Sequence, residues 1–198
     1  MLTSPGEPRA EDSGADPRVD GIFALFERAR DADYLGEGVS QLVHALQAAD
    51  LARQAGADDE AILAALLHDI GHRCAGADAP RMGAVGILRH EEIGADCLVQ
   101  LGLPPRVTEL VRGHVAAKRY LVSRDPGYFH RLSDASRATL AHQGGPMSPA
   151  EQHDFESLPH CEDLLRLRSW DERAKDPSRS VPDLASYRSL LRSCLPNR

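Results

Sequence analysis

Apolar positions recur along this chain at the helical interval and almost never with the alternation of a strand. Ile22, Leu25, Phe26 and Ala29 stand at i, i+3, i+4 and i+7, the spacing of one helix face. Leu42, Ala45, Leu46, Ala49 and Ala52 mark a second helix that Gly56 ends. Asp58 is placed to cap a third, AILAALLHD, which is apolar almost all round and so belongs at the centre of a core. After a Gly/Pro-containing loop, a helix from His90 to Leu101 is stopped by Gly102, and Pro104-Pro105 opens another that runs past His114 to about Leu121. Ser133 to His142, a capping box at Ser148-Pro149-Ala150-Glu151, and stretches near 161–175 and 183–194 complete the set. The expectation is an all-α fold: one helical bundle over residues 19–198, preceded by a disordered arm at 1–18 that is rich in Pro, Gly and acids.

Composition narrows the function. The chain has 198 residues, one domain's worth, and a formal net charge of −7. That balance, with 5% aromatic residues, argues against gripping or stacking on nucleic acid. The longest apolar run, Ala61 to Leu67, is too short to span a membrane, and no signal-peptide pattern opens the chain. The four cysteines are far apart with no CxxC, as expected of reduced thiols in a cytoplasmic protein. Only Lys118 and Lys175 are lysines among 23 basic side chains, which singles both out.

The informative segment is Leu66-Leu67-His68-Asp69-Ile70-Gly71-His72. A chain with nine histidines carries about one His-Asp dipeptide by chance, and this one has a second, His153-Asp154, in a polar stretch. His68-Asp69 differs by ending an apolar helix, so both groups face burial, where an uncompensated carboxylate is costly. On the dipeptide alone, a hydrogen-bonded core dyad and a metal site are equally good readings. His44, His90 and His114 add three more imidazoles on three further helices, the arrangement that builds a metal site inside a bundle. Asp171 is a further candidate carboxylate. Imidazole and carboxylate without thiolate favour iron, manganese or zinc, and this many groups suit two ions about 3.5–4 Å apart that share a carboxylate. Lys118 follows His114 by one helical turn and Arg168 precedes Asp171 by one, so each sets a cation beside a metal ligand, where a bound anion would lie. Ser136, Thr139 and Gln143 form a polar stripe at i, i+3, i+7 that can hydrogen-bond the same group.

Residues 31–175 resemble the HD-domain superfamily, and closely resemble one branch, the PhnZ-type mixed-valent di-iron oxygenases that cleave carbon–phosphorus bonds. The resemblance runs through DADYLGE (31–37), LAALLHDIGH (63–72), GHVAAKRYLVS (113–123), LSDASRATL (132–140), QGGPM (143–147) and RLRSWDE (166–172). It implies a first iron held by His44, His68, Asp69 and Asp171, and a second held by His90, His114 and the bridging Asp69. It implies that Lys118, Ser136 and Arg168 hold a phosphonate, and that His72, placed one turn after His68 on the same helix face, stands near the reacting oxygen. Tyr34 would occupy an iron position until substrate displaces it, and Glu37 would help to bind a cationic end. The activity implied is an O2-dependent oxidation at an Fe(II)/Fe(III) pair. It converts a small 1-hydroxyphosphonate, either 2-amino-1-hydroxyethylphosphonate or its trimethylammonium analogue, to phosphate and glycine or glycine betaine. An upstream 2-oxoglutarate-dependent hydroxylase would supply the substrate. The alternatives are a metal-dependent HD phosphohydrolase, the commoner activity of the superfamily, and a non-catalytic metal-stabilised helical module. The loop at 73–89 lies outside the matching strings.

Overall fold

The computed structural model describes residues 16–28 and 37–196. Helix α1 (Pro17–Glu27) starts two residues earlier than expected, because Asp16 accepts a hydrogen bond from the Arg18 amide at 2.9 Å and Pro17 occupies the first helical turn. Pro17 and Arg18 are therefore helical and not part of an arm. Ser40 caps α2 (Gln41–Gln54), and Gly56, with φ 69°, turns the chain out of it. Asp58 caps α3 (Asp59–Leu67) by accepting from the Ala61 amide at 3.0 Å. Residues 61–67 are all buried, and α3 packs between α2, α6 (Pro105–Arg124) and α10 (Cys161–Arg173).

Between α3 and α6 lie a short α4 (Gly71–Cys74) and α5 (His90–Leu101), which ends at Gly102 with φ 84°. The loop between them is closed by one isolated bridge, Arg81 to Ile87. After α6 come α7 (Tyr128–Arg131), α8 (Asp134–His142) and α9 (Pro149–Glu156), the last with both halves of the Ser148–Glu151 capping box formed. A 3₁₀ turn (Leu184–Tyr187) leads into α11 (Arg188–Cys194). No strand occurs among the described residues, so the all-α expectation holds. The four-residue helix at 128–131 is too short for periodicity to reveal.

Two polar ties fix the frame around the core. Arg106 at the start of α6 donates to Asp58 at 2.8 and 3.0 Å and to Asp163 at 2.8 Å, joining the openings of α3, α6 and α10. Gln47 of α2 exchanges two hydrogen bonds with the Asp176 backbone, at 2.6 and 3.1 Å, which holds the segment after α10 against α2.

Candidate metal centre

Four helices deliver one histidine each to a single point. His44 comes from the first turn of α2, His68 caps the C-terminus of α3, His90 opens α5 and His114 sits inside α6. All four are buried. Each ring donates its Nδ1 proton to a backbone carbonyl: His44 to Ala174 at 2.8 Å, His68 to Ala65 at 2.8 Å, His90 to Ile87 at 3.3 Å and His114 to Val111 at 2.7 Å. With Nδ1 so used, Nε2 is left as the lone-pair atom. These lone pairs converge: His44 Nε2 lies 3.0 Å from His68 Nε2, and His90 Nε2 lies 3.2 Å from His114 Nε2. Two acceptors face to face in a buried site repel unless a cation lies between or beside them. The donor set therefore fits metal ions.

Asp69 stands between the two histidine pairs. Its Oδ2 is 3.7 Å from His44 and 3.5 Å from His68, and its Oδ1 is 3.2 Å from His90 and 3.5 Å from His114. One carboxylate thus belongs to two clusters, His44–His68–Asp69 and Asp69–His90–His114, each compact enough to hold an ion. Asp171 of α10 adds Oδ1 to the first cluster, 3.3 Å from His44 Nε2 and 3.8 Å from His68 Nε2. Burial alone would raise the carboxyl of Asp69, but His68 beside it, together with His114 and His90, holds it well below the usual carboxylate range. Arg168 does the same for Asp171 against the same opposing burial. Burial disfavours charge on His68, yet the two carboxylates raise it to about 9. A site that pulls a proton onto a buried imidazole is one that favours positive charge, and a metal supplies it without the proton.

The clusters open onto a cavity. Its lining includes Asp69, His90, His114 and Asp171 from the ligand set, with Lys118, Ser136, Thr139, Gln143 and Arg168 from the expected anion-binding set. Lys118 is buried and donates to Thr139 Oγ1 at 2.8 Å. Burial, and then Arg168 nearby, lower its ammonium to about 7. Arg168 donates through Nε to Tyr128 Oη at 3.0 Å and through Nη1 to Asp171 Oδ2. Its Nη2 has no hydrogen-bond partner and lies 3.5 Å from Glu172. Gln143 Oε1 is likewise buried without a partner.

His72 departs from expectation. The chain breaks helix at 68–70, so His72 rides on α4 and not on the helix of His68. Its ring stacks on His90, centroids 4.1 Å apart and planes 16° apart, and its Nδ1 accepts from the Ile87 amide at 3.2 Å. Burial, and then the neighbouring His90, lower its pKa to about 3, so it is a neutral ring that props a ligand and lines the cavity. Tyr34 lies outside the described residues. Glu37 is described and half-buried, and Lys175 donates to it at 3.0 Å.

Lys175 is the residue that sequence reasoning did not place. It lines the cavity and also donates to Ser133 Oγ at 2.8 Å and Ser136 Oγ at 3.3 Å. The scarcity of lysine pointed at it, but its partners sit 39, 42 and 138 positions away, beyond any local pattern. Met82 and Val85 show that the 73–89 loop also reaches the cavity, which the matching strings did not cover.

A bundle that brings the His-Asp dipeptide together with three further histidines and a second aspartate is the arrangement of an HD domain, and residues 42–177 match the HD domain family. The chain belongs to that family. Over 173 residues it is 43% identical to a [1-hydroxy-2-(trimethylamino)ethyl]phosphonate dioxygenase (glycine-betaine-forming) of Leisingera caerulea, covering 87% of this chain and 88% of the relative. A hydroxymethylphosphonate dioxygenase of Gimesia maris is 42% identical over 177 residues, 88% of each chain. An uncharacterized protein of Acanthamoeba polyphaga mimivirus is 42% identical over 174 residues, 87% of this chain and 80% of the relative. Within the HD family the chain is therefore an oxidoreductase of the PhnZ-type oxygenase branch, similar to those two dioxygenases. No helix among the described residues is long and apolar enough to cross a membrane.

Proposed function

We propose that this protein is an O2-dependent di-iron oxygenase that cleaves the C–P bond of a small 1-hydroxyphosphonate, releasing phosphate and a carboxylate. The observation that carries this reading is the cavity wall: three basic side chains, Lys118, Arg168 and Lys175, beside a carboxylate that two metal clusters share. His44, His68, Asp69 and Asp171 would hold one iron, and Asp69, His90 and His114 the other. When bound, the iron pair supplies O2 activation and the four-electron redox chemistry.

The protein's own groups do the rest. The second set offers fewer protein ligands than the first and faces the cavity, which leaves room for the substrate's 1-hydroxyl and a phosphonate oxygen. Lys118 and Arg168 offset the charge of the phosphonate, and Thr139 and Ser136 hydrogen-bond it. The Gln143 amide, whose oxygen is unpartnered, accepts from a substrate hydroxyl or, turned over, donates to an oxyanion. Lys118 and Arg168 are themselves buried, which strengthens their charge interactions with a bound anion.

Glu37 also borders an outer depression together with Val85 and Asp134, and Val85 lines the inner cavity as well. A cationic far end of the substrate would lie there, competing with Lys175 for Glu37. Among the described residues no aromatic ring other than imidazole lines the cavity, so no cage for a trimethylammonium group is present there. A primary ammonium can donate to Glu37, which favours 2-amino-1-hydroxyethylphosphonate over the trimethylammonium analogue. Either substrate has to be supplied by hydroxylation at C1, the reaction class of a 2-oxoglutarate-dependent hydroxylase.

The test is phosphate release and O2 uptake by iron-loaded protein on both compounds and on hydroxymethylphosphonate. The expected result is one O2 consumed per phosphate, none released under anaerobic conditions, and none with zinc in place of iron. Release at full rate without oxygen, or with zinc, overturns the oxygenase reading and promotes a phosphohydrolase, because a metal-bound hydroxide needs no valence change.

A further inference from the structure

The cysteines are widely spaced in sequence, yet two of them meet. Cys74 ends α4 and Cys97 lies in α5, and their sulfurs are 2.7 Å apart although the residues are 23 positions apart. Both are half-buried thiols, not a formed disulfide. A glycine seam one turn earlier sets the approach. A Cβ on Gly71 would stand 1.8 Å from the His90 carbonyl oxygen, and a Cβ on Gly94 would stand 3.0 Å from the Gly71 amide nitrogen. Bare backbone meets bare backbone at Gly71 and Gly94, and three residues on from each, the chain carries Cys74 and Cys97. The seam presses α4 and α5 closely enough to bring the two sulfurs near bonding reach.

We propose that Cys74 and Cys97 form a reversible disulfide when the protein meets peroxide, fastening α4 to α5. Peroxide is the oxidant the step needs. The Cys97 thiolate attacks one oxygen of hydrogen peroxide, giving a sulfenic acid and hydroxide. The Cys74 sulfur then displaces the sulfenic oxygen, the S–S bond forms, and the oxygen leaves as water with the thiol proton. Two thiols lose two electrons in all and one peroxide becomes two waters. Cys97 is the attacking partner because Cys74 donates its S–H toward it, which lowers the Cys97 thiol to about 7 against the opposing effect of burial. The same contact, followed by burial, raises the thiol of Cys74. The cross-link joins the helix that carries His72 to the helix that carries His90, so it closes the 75–89 loop covalently beside the metal centre without touching a proposed ligand.

The test uses the holoprotein treated with a small molar excess of hydrogen peroxide and then catalase. Two of the four thiols should become unreactive, the mass should fall by about 2 Da, and tryptic peptides 74–81 and 90–106 should appear as one linked species. The midpoint of thermal unfolding should rise by about 5–10 °C and return on reduction. Cys74→Ser and Cys97→Ser should each fold and lose all four signatures. Four reactive thiols after treatment, a mass gain on Cys97 without a link, a link between other cysteines, or a linked species with an unchanged midpoint each overturn the proposal. None of these readouts depends on substrate turnover, so the disulfide and the oxygenase reading fail separately.

Discussion

Arg168 holds Asp171 by the carboxylate oxygen that faces away from the histidines: Nη1 donates to Oδ2, while Oδ1 lies 3.3 Å from His44 Nε2. One guanidinium therefore orients a proposed metal ligand and lines the cavity at once. Breaking a buried ion pair from one side costs about 3–5 kcal/mol, because the partner is left charged and alone. Arg168→Met should lower metal content, as well as weakening substrate binding. Metal analysis of the purified variant checks this; full occupancy with only a raised KM would confine Arg168 to the substrate.

Asp69 should be the ligand least open to replacement. Among the described residues it alone presents one oxygen to each histidine pair, and without it two metal cations would sit close together with no anion between them. Asp69→Ala should lose metal from both sites, whereas His153→Ala, at an exposed position of the second His-Asp dipeptide, should keep it all. Metal stoichiometry by elemental analysis decides.

Lys118 is a functional group held at a cost to stability. Its folded pKa is lowered to about 7 from an ordinary 10.5. Below pH 7 both folded and unfolded states are protonated and the whole desolvation cost is present. From 7 to 10.5 the folded lysine is neutral while the unfolded one still binds a proton, so stability rises with pH. Lys118→Met should therefore raise the unfolding midpoint by about 3 °C or more at pH 6, with the advantage shrinking toward pH 10. The same variant should bind phosphonate at least about tenfold more weakly, since a charged hydrogen bond is worth about 1.5–3 kcal/mol. A variant less stable than wild type at pH 6 contradicts the argument.

Gly71 has no room for a side chain, with the His90 carbonyl oxygen 1.8 Å from where its Cβ would be. Gly71→Ala must push α4 from α5 and shift His90 at the start of α5. The expected cost is about 2 kcal/mol or more, together with preferential loss of the metal bound by His90 and His114. Equilibrium denaturation and metal titration check the two effects independently.

Lys175→Met should release Glu37 and remove one of the cavity's three basic groups. KM for a phosphonate substrate should rise several-fold with metal content unchanged, a split that separates it from Arg168.

Much of this centre was legible in the chain. His68-Asp69 announced itself by ending an apolar helix, and His114–Lys118 and Arg168–Asp171 are pairs within one helix, where spacing alone sets proximity. What stayed hidden depends on chain reversals. His72 was misplaced because the helix breaks between Leu67 and Gly71, a break that the sequence LLHDIGH does not signal. Lys175, Tyr128 and the meeting of Cys74 with Cys97 require loops to return distant segments to one place, and periodicity carries no information about that. Residues 1–15, and Tyr34 with its proposed gating role, lie outside the described residues.

The four carbonyl-anchored imidazoles have a consequence for the stability of the fold. Because Ala174, Ala65, Ile87 and Val111 fix which nitrogen keeps its proton, the metal-free fold sets the lone pairs of His90 and His114 face to face and holds a proton at His68, and ions that bind relieve the one and displace the other. Metal supply and folded lifetime are thus one equilibrium read at two ends: RT ln(1 + [M]/Kd) is added to the folded state alone. Thermal midpoints with and without added metal should therefore differ, by an amount set by metal concentration over Kd.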